Sequence, residues 1–252
     1  MKRAERLVAI MEHLAREGSV AVSALSRGLG VSESSVRRDL NLLETQKWVS
    51  RTHGGAVARG TPLELQLTKR DAERAEREDR IARVAATRVR DGYSVGLVSG
   101  TAVAAVGRTL ADRDELTVVT NAVDIAHQLL VHPQLRVVVT GGVADPRTAA
   151  LSGSFTEAIL DRVNLDTVFV QADGVAARSG LTADDAGYAQ IAAMFVRRAN
   201  QVIAILDSDR VGRACFTHIC DLAEVDELIT DSGADEDRLD QLASAGLQVT
   251  IA

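Results

Sequence analysis

Ser34, Ser35, Arg37, Arg38 and Asn41 carry the donors and acceptors needed to read the edge of a DNA base, and they lie in one short stretch of the chain. Arginine bonds guanine O6 and N7 through two guanidinium nitrogens, and serine or asparagine bonds a base edge or a phosphate. Helical spacing gathers them. Val36, Leu40 and Leu43 form one apolar stripe, which turns the polar residues to the opposite side. Shortly after, Arg51-Thr52-His53-Gly54-Gly55 reads as a hairpin tip, where two glycines allow positive φ and Arg51 and His53 come within reach of backbone phosphates. The implied chemistry is contact with double-stranded DNA by a winged helix-turn-helix.

The elements that must position these residues are also legible. Leu7, Ile10, Met11 and Leu14 recur at helical spacing in a first helix that Gly18 can end. An extended piece over 20–22 follows, Ser23 is placed to cap a second helix with Leu25 and Leu29 inward, and Gly30 permits a sharp turn before Val31. Ser32 reads first as the cap of the third helix. Trp48 reads as a core plug beneath the wing, and His53 stays open between turn filler and phosphate contact. A three-helix packing module with a solvated basic face is the competing reading and ranks second. Charge supports DNA: residues 1–60 hold ten Lys and Arg against six Asp and Glu, a net of +4, and the chain total of −6 leaves −10 for the rest. A basic head on an acidic body lets only the head approach phosphate.

At 252 residues and 46% hydrophobic, the chain can bury a substantial core. No apolar run is long enough to span a bilayer, and Glu5 and Glu12 interrupt the start where a signal peptide needs an apolar stretch, so a cytoplasmic protein with no membrane partner is expected. Cys215 and Cys220 are too far apart for a C-x-x-C pair and read as small reduced residues. His127, His132 and His218 lack metal-ligand spacing. No metal and no cofactor is expected. Composition divides the chain into a DNA-binding domain at 1–58, a charged and partly helical linker at 59–79 whose charges read as a solvated face, and a larger acidic body at 80–252, the effector-sensing domain that the family resemblance given below implies.

In that last region strand-like runs alternate with helical periodicity, which predicts an α/β fold with a parallel sheet and crossover helices. Strands are expected at 94–98, 116–120, 136–140, 167–171, 201–206, 227–230 and 247–251. Small and polar residues fall at their carboxyl ends, where such sheets bind ligands: Ser99-Gly100-Thr101, Thr120-Asn121, Gly141-Gly142, Asp173-Gly174 and Asp207-Ser208. The first of these opens a helix, so N–H groups, hydroxyls and the helix dipole together suit an anion. Each end alone equally suits an ordinary helix cap or turn; five together favour a pocket. Neither G-x-x-x-x-G-K nor G-x-G-x-x-G occurs.

The segments SVRRDLNLLE, RTHGGA, VSGT, VVTNA, VTGG, LSG, ADG, GLT and LDSDRVG, in this order, make nearly the whole chain resemble the DeoR family of bacterial transcriptional regulators. The resemblance implies a winged helix-turn-helix followed by a Rossmann-like parallel-sheet sensor domain similar to ribose-5-phosphate isomerase and glucosamine-6-phosphate deaminase. It also implies repression of a catabolic operon that a phosphorylated sugar or related metabolite relieves. Carried over, the effector residues are Ser99, Gly100, Thr101, Thr120, Asn121, Gly141, Gly142, Asp173, Gly174, Gly180, Leu181, Thr182, Asp207 and Arg210, and the DNA-binding residues are Ser32, Ser34, Ser35, Arg37, Arg38, Asn41, Arg51, His53 and Gly54. The chain departs from the family pattern at Ala102, where a second threonine is frequent, at Arg210, where lysine is, and at Gly187 and Ile191, where a Glu and a Lys are. The expected function is an operator-binding regulator acting as a homo-oligomer, a dimer or tetramer. An isomerase or deaminase using Asp173 and Asp207 ranks second, since the helix-borne Glu and Lys are missing. Repression and activation are not separated by the sequence.

Overall fold

The computed structural model describes residues 6–7, 9–11, 13–14, 19–45, 49–52, 54–58, 62–146 and 148–252, the backbone alone at 58 and 62–73. Gly18, Trp48, His53, Gly60 and Thr61 lie outside the described residues. The chain divides into two compact units, Met1–Arg74 and Ala75–Ala252. Among the described residues no helix is long and apolar enough to cross a membrane.

In the first unit, helical residues between 6 and 14 are followed by β1 (Ser19–Ala21), α1 (Val22–Leu29), α2 (Glu33–Thr45), β2 (Val49–Thr52) and β3 (Gly55–Ala58). The strands form an antiparallel sheet of order β1-β3-β2. Ile10, Leu14, Val22, Leu25, Val36, Leu40, Leu43 and Val49 are buried together, the stripe that helical spacing predicts. Ser23 does not cap α1. The helix begins one residue earlier, after extended Ala21, because the Val22 N–H donates to Gly54 O at 2.9 Å, so the wing's backbone takes the place of a capping side chain. Ser32 does cap α2, its Oγ accepting the Ser35 N–H at 3.3 Å. The wing glycines serve different needs. Gly54 adopts φ +109°, and Gly55 lies so close to Val20 O that a Cβ would collide with that carbonyl.

α3 (Pro62–Ala86) runs from the first unit into the second. The second unit is built on seven parallel strands: β4 (Ser94–Leu97), β5 (Thr117–Thr120), β6 (Arg136–Val139), β9 (Leu165–Gln171), β12 (Ala199–Ile205), β14 (Glu227–Thr230) and β15 (Gln248–Ile251), in the order β15-β14-β12-β9-β4-β5-β6. Each lies within about two residues of the strand that the sequence predicts. Between them run α4 (Thr101–Leu110), α5 (Val123–Leu129), α6 (Ser154–Leu160), α7 (Ala186–Arg197) and α8 (Glu236–Ser244). Alternation decides which face each strand residue covers. Val168, Val170, Val202 and Ala204 pack with Phe195 and Leu242 from α7 and α8, whereas Phe169, Ile203 and Ile205 pack with Ile81, Val103, Val106 and Ile125 from α3, α4 and α5. Both faces are covered, which explains the unbroken apolar runs in β9 and β12.

Sequence reasoning did not anticipate two small additions. One is the antiparallel hairpin β7 (Val143–Ala144) with β8 (Leu151–Ser152); the other is a sheet of β10 (Gly174–Ala176), β11 (Gly180–Ala183) and β13 (Thr217–Cys220). The amino ends of the main strands are tied by carboxylates. Asp166 accepts the Ser94 N–H and hydroxyl, both at 2.8 Å, and Asp226 accepts the Val202 N–H at 2.7 Å. Glu227, at the start of β14, accepts both Arg88 Nε at 2.9 Å and Arg88 Nη2 at 2.7 Å, with Thr250 Oγ1 at 2.6 Å. Burial alone would push Glu227 up, but the hydrogen bonds from Arg88 and Thr250 and the arginine charge hold it below its ordinary 4.5.

Two measurements check this account. Gly55→Ala should destabilise the first unit by roughly 1–3 kcal/mol, read as an earlier denaturant transition by the fluorescence of Trp48, the single tryptophan. Because folded Glu227 sits below 4.5, its ion pair stabilises fully above that value and the contribution is lost as pH falls through the lower folded value. Arg88→Ala should therefore cost on the order of 3 kcal/mol near neutral pH, from stranding a buried carboxylate, and its deficit in urea unfolding should shrink as the medium is acidified through that range.

Candidate functional site

In the first unit α2 presents Ser34, Arg37, Arg38 and Asn41 to solvent, with Ser35 half-buried and Ser32 exposed at the amino end. The surface is pre-ordered by short-range bonds. Arg37 Nη2 pairs with Glu33 at 3.0 Å one turn back, Arg38 Nε donates to Ser34 O at 3.3 Å, and Arg51 Nη1 donates to Asn41 Oδ1. The Arg37–Glu33 pair is about half exposed on both sides, so it holds the guanidinium weakly and yields readily to a phosphate. From β2, the Arg51 N–H donates to Glu44 Oε1 at 3.1 Å, which fixes the base of the wing against the end of α2. Exposed Gly54 forms the wing tip.

Asp39 lies on the same helix but behaves otherwise. It is 1% exposed and receives Arg6 through Nε at 2.5 Å and Nη2 at 3.3 Å. A buried acid in the middle of α2 is thus neutralised from behind by the first helix, and it subtracts little from the positive charge of the outer face. Sequence reasoning counted it only as an acid; the signal was its position one residue from Leu40 and three from Val36, inside the apolar stripe.

In the second unit, strand order reverses between β4 and β9: β5 and β6 extend the sheet on one side, β12, β14 and β15 on the other. Loops leaving these two adjacent strands run apart, and a reversal of this kind is where α/β sheets form a ligand crevice beyond the carboxyl ends. The turn Ser99-Gly100-Thr101 stands on one side of the reversal. Ser99 N–H donates to Asn121 Oδ1 at 3.0 Å, and Asn121 Nδ2 donates to Leu151 O at 3.1 Å, so the ends of β4 and β5 and the β8 strand are joined through one amide. Thr120 Oγ1 is occupied within the sheet, donating to Leu97 O at 2.7 Å and accepting the Ala122 N–H at 3.0 Å. Across the reversal, Gln171 ends β9. Its Oε1 accepts the Ala102 N–H at 3.0 Å, and a Cβ on Gly100 would stand 2.5 Å from that same oxygen. Thr101 Oγ1 donates to Glu78 on α3 at 2.5 Å.

Asp173 and Arg210 form the next group. Arg210 Nη1 donates to Asp173 Oδ1 at 2.8 Å and to Ala172 O at 2.6 Å, while Asp173 Oδ2 accepts the Asp184 N–H at 3.0 Å. Asp207 opens the 3-10 turn Ser208–Arg210 that carries this arginine. The neighbouring Asp231 accepts the Ser208 N–H at 2.8 Å and the Gly233 N–H at 3.0 Å. Burial works to raise Asp231, and these donors together with Arg77 outweigh it and hold the carboxylate below its ordinary value. Tyr188 of α7 donates its hydroxyl to Gln171 O, and burial, reinforced by the charge of Asp173, pushes it well above the usual tyrosine range, so it stays a donor.

Other anticipated residues are placed differently. Gly141 O accepts Thr156 Oγ1 at 2.6 Å, and Gly142 packs against Thr156 and Ser152, beside the edge strand β6. Thr182 Oγ1 donates to Gly174 O at 3.2 Å and accepts the Cys215 N–H at 2.9 Å. Gly174 has Arg213 O 2.6 Å from where a Cβ would stand, Gly180 abuts Cys220 O, and the Leu181 side chain is wholly within the core. Of the departing positions, Ala102 and Ile191 are buried, 2% and 3% exposed, and Gly187 is exposed. Gln171, Tyr188 and Glu78 were missed by sequence reasoning. Glu78 in particular is 6% exposed, which corrects the expectation that the charges of 59–79 form a solvated face; it sits three residues before Ile81, on the side of α3 that packs on the sheet. A surface cleft of about 280 Å³ lies between α3 and α4, lined by Asp79, Arg83, Ala105, Arg108 and Thr109, and is crossed by the exposed Arg108–Asp79 pair at 3.1 Å, away from the strand ends.

Comparison with known proteins is consistent across both units. Residues 6–61 match the DeoR-like helix-turn-helix domain, and residues 73–232 match the DeoR C terminal sensor domain. The chain is 31% identical to the HTH-type transcriptional regulator GlpR of Haloferax volcanii over 99% of its own length and 98% of that protein, and 27% identical to the glycerol-3-phosphate regulon repressor of Escherichia coli K12 over 92% of each. A ribose 5-phosphate isomerase A from Methanocaldococcus jannaschii is similar over 53% of this chain and 52% of its own, at 18% identity and a TM-score of 0.40. With both domain descriptions matched in order along nearly the whole chain, the protein belongs to the DeoR family of DNA-binding transcriptional regulators.

Proposed function

We propose that this regulator is a repressor of a carbohydrate or related catabolic operon and that a phosphorylated sugar or similar metabolite releases it from its operator. The observation that carries the reading is the strand reversal between β4 and β9, where the first turn of α4 is bonded to the ends of β5 and β9. The Ser99 and Ala102 N–H groups are held by Asn121 and Gln171, and the N–H groups between them, with the Ser99 and Thr101 hydroxyls, suit a phosphoryl group. Asn121, Asp173 and Arg210 are the polar partners for the rest of the molecule, and Thr120, Gly100, Gly141, Gly142, Gly174, Gly180, Leu181, Thr182 and Asp207 shape and hold the loops. The glycerol-3-phosphate regulon repressor among the relatives supports an organophosphate as the ligand class. Turnover is not proposed: Asp173 is already committed to Arg210 and to the Asp184 N–H, an arrangement that suits binding more than proton transfer.

On the DNA side, Ser34, Ser35, Arg37, Arg38 and Asn41 read the groove, while Ser32, Arg51, His53 and the Gly54 tip contact the backbone. Two copies on a two-fold axis would read two half-sites, which greatly raises affinity over one small head. Phe155 and Phe216, 73% and 88% exposed, give aromatic surface for a second copy to cover. The protein acts in the cytoplasm, with its operator.

Selection of bound duplexes from a random pool, at stated salt, followed by a panel of phosphorylated sugars and polyols, tests the reading. One member of the panel should release the selected operator and its unphosphorylated counterpart should not; release by none of them overturns the effector class. On the selected operator, Arg38→Ala should cost about 1–3 kcal/mol and relax preference at one base position. A uniform loss across all sequences would instead make Arg38 a phosphate contact.

A further inference from the structure

Two neighbouring residues of α3 reach the carboxyl-end loops of the sheet at separate places. Glu78 accepts the Thr101 hydroxyl at 2.5 Å, at the head of α4. Arg77 Nε stands 3.9 Å from Asp231 Oδ2, on the loop side that also carries Ser208. This Nε is buried and has no hydrogen-bond partner among the described residues. The same helix continues back to Pro62, within the unit that holds the DNA-reading face.

We infer that Glu78 is an internal competitor of the effector: its carboxylate and the anionic group of the ligand claim the Thr101 hydroxyl in turn, so binding expels Glu78 and shifts α3. The inference rests on the effector site proposed above and adds the means by which that site reaches the DNA. A threonine hydroxyl has one proton to donate, and two anions brought to one hydroxyl repel each other. The effector therefore binds better to the state in which Glu78 has left, which is the differential affinity that any ligand-driven shift requires. Arg77 gives the displaced helix a second resting position. A movement of about 1 Å brings its Nε within hydrogen-bonding distance of Asp231, already charged and already held in place. The Glu78–Thr101 contact then marks the operator-binding state and an Arg77–Asp231 hydrogen bond the released one.

The test uses the full chain, with inorganic phosphate as the probe, titrated by calorimetry at constant ionic strength, and the operator obtained by selection. Glu78→Gln keeps the size of the side chain and removes its charge. It should bind phosphate at least about fivefold more tightly than the unsubstituted protein and bind operator at least about fivefold more weakly in the absence of phosphate. Thr101→Val should lose phosphate binding. If Thr101→Val loses it but Glu78→Gln binds phosphate no more tightly, or binds operator unchanged, the effector site stands and the competition is refuted. If Thr101→Val binds phosphate like the unsubstituted protein, or neither binds it, the effector site itself is misplaced and the inference falls with it. Circular dichroism of each variant verifies folding, and Glu78→Asp, which keeps the charge, should not reproduce the tighter phosphate binding.

Discussion

The second unit is organised by one topological constraint: two adjacent parallel strands, β4 and β9, whose following loops leave in opposite directions. In α/β sheets it is beyond the carboxyl ends at such a reversal that ligands bind. The Ser99–Thr101 turn, the Gln171 amide and the Asp173–Arg210 pair gather there. The amino-end edge of the sheet carries Asp166, Asp226 and Glu227 in fixed bonds to backbone and to Arg88. The candidate effector residues and the structural ties thus occupy opposite edges of a single sheet.

The DNA-reading unit follows a comparable division between back and front. Its helix α2 is held by Val36, Leu40 and Leu43, and by Asp39 bonded to Arg6, while the outward face is left to arginine, serine and asparagine. The wing is part of the same small core: Gly54 O accepts the first N–H of α1, and Gly55 lets β3 approach β1 closely. A change in the wing is therefore felt at the entry to the helix pair, and both reading elements keep a fixed geometry relative to each other within this unit.

Most of the fold was legible because its signals are local. The main strands are continuous apolar runs ended by small polar residues, so their positions emerged to within about two residues, and the helical periodicity between them announced the crossover helices. What was not legible depends on distant partners. Asp39 and Glu78 look like ordinary surface acids until Arg6 and Thr101 are brought to them, across 33 and 23 residues of sequence. The start of α1 was misplaced at Ser23 because the true cap is a carbonyl from the wing, which no side-chain pattern announces. β7, β8, β10, β11 and β13 are two to four residues long, too short for alternation to register. Gln171 was read as the last residue of a strand, and its amide could be understood only once β4 was known to lie beside β9.

The central claim is that the first turn of α4, facing Gln171 across the strand reversal, receives the signal that governs the DNA-reading unit. Amide hydrogen exchange of the full chain, with and without a phosphorylated sugar that releases the operator, tests it most directly. The account expects slowed exchange at Gly100 and Thr101, together with altered exchange along α3 around Glu78. Protection at some other surface, with these amides and α3 unchanged, would contradict it.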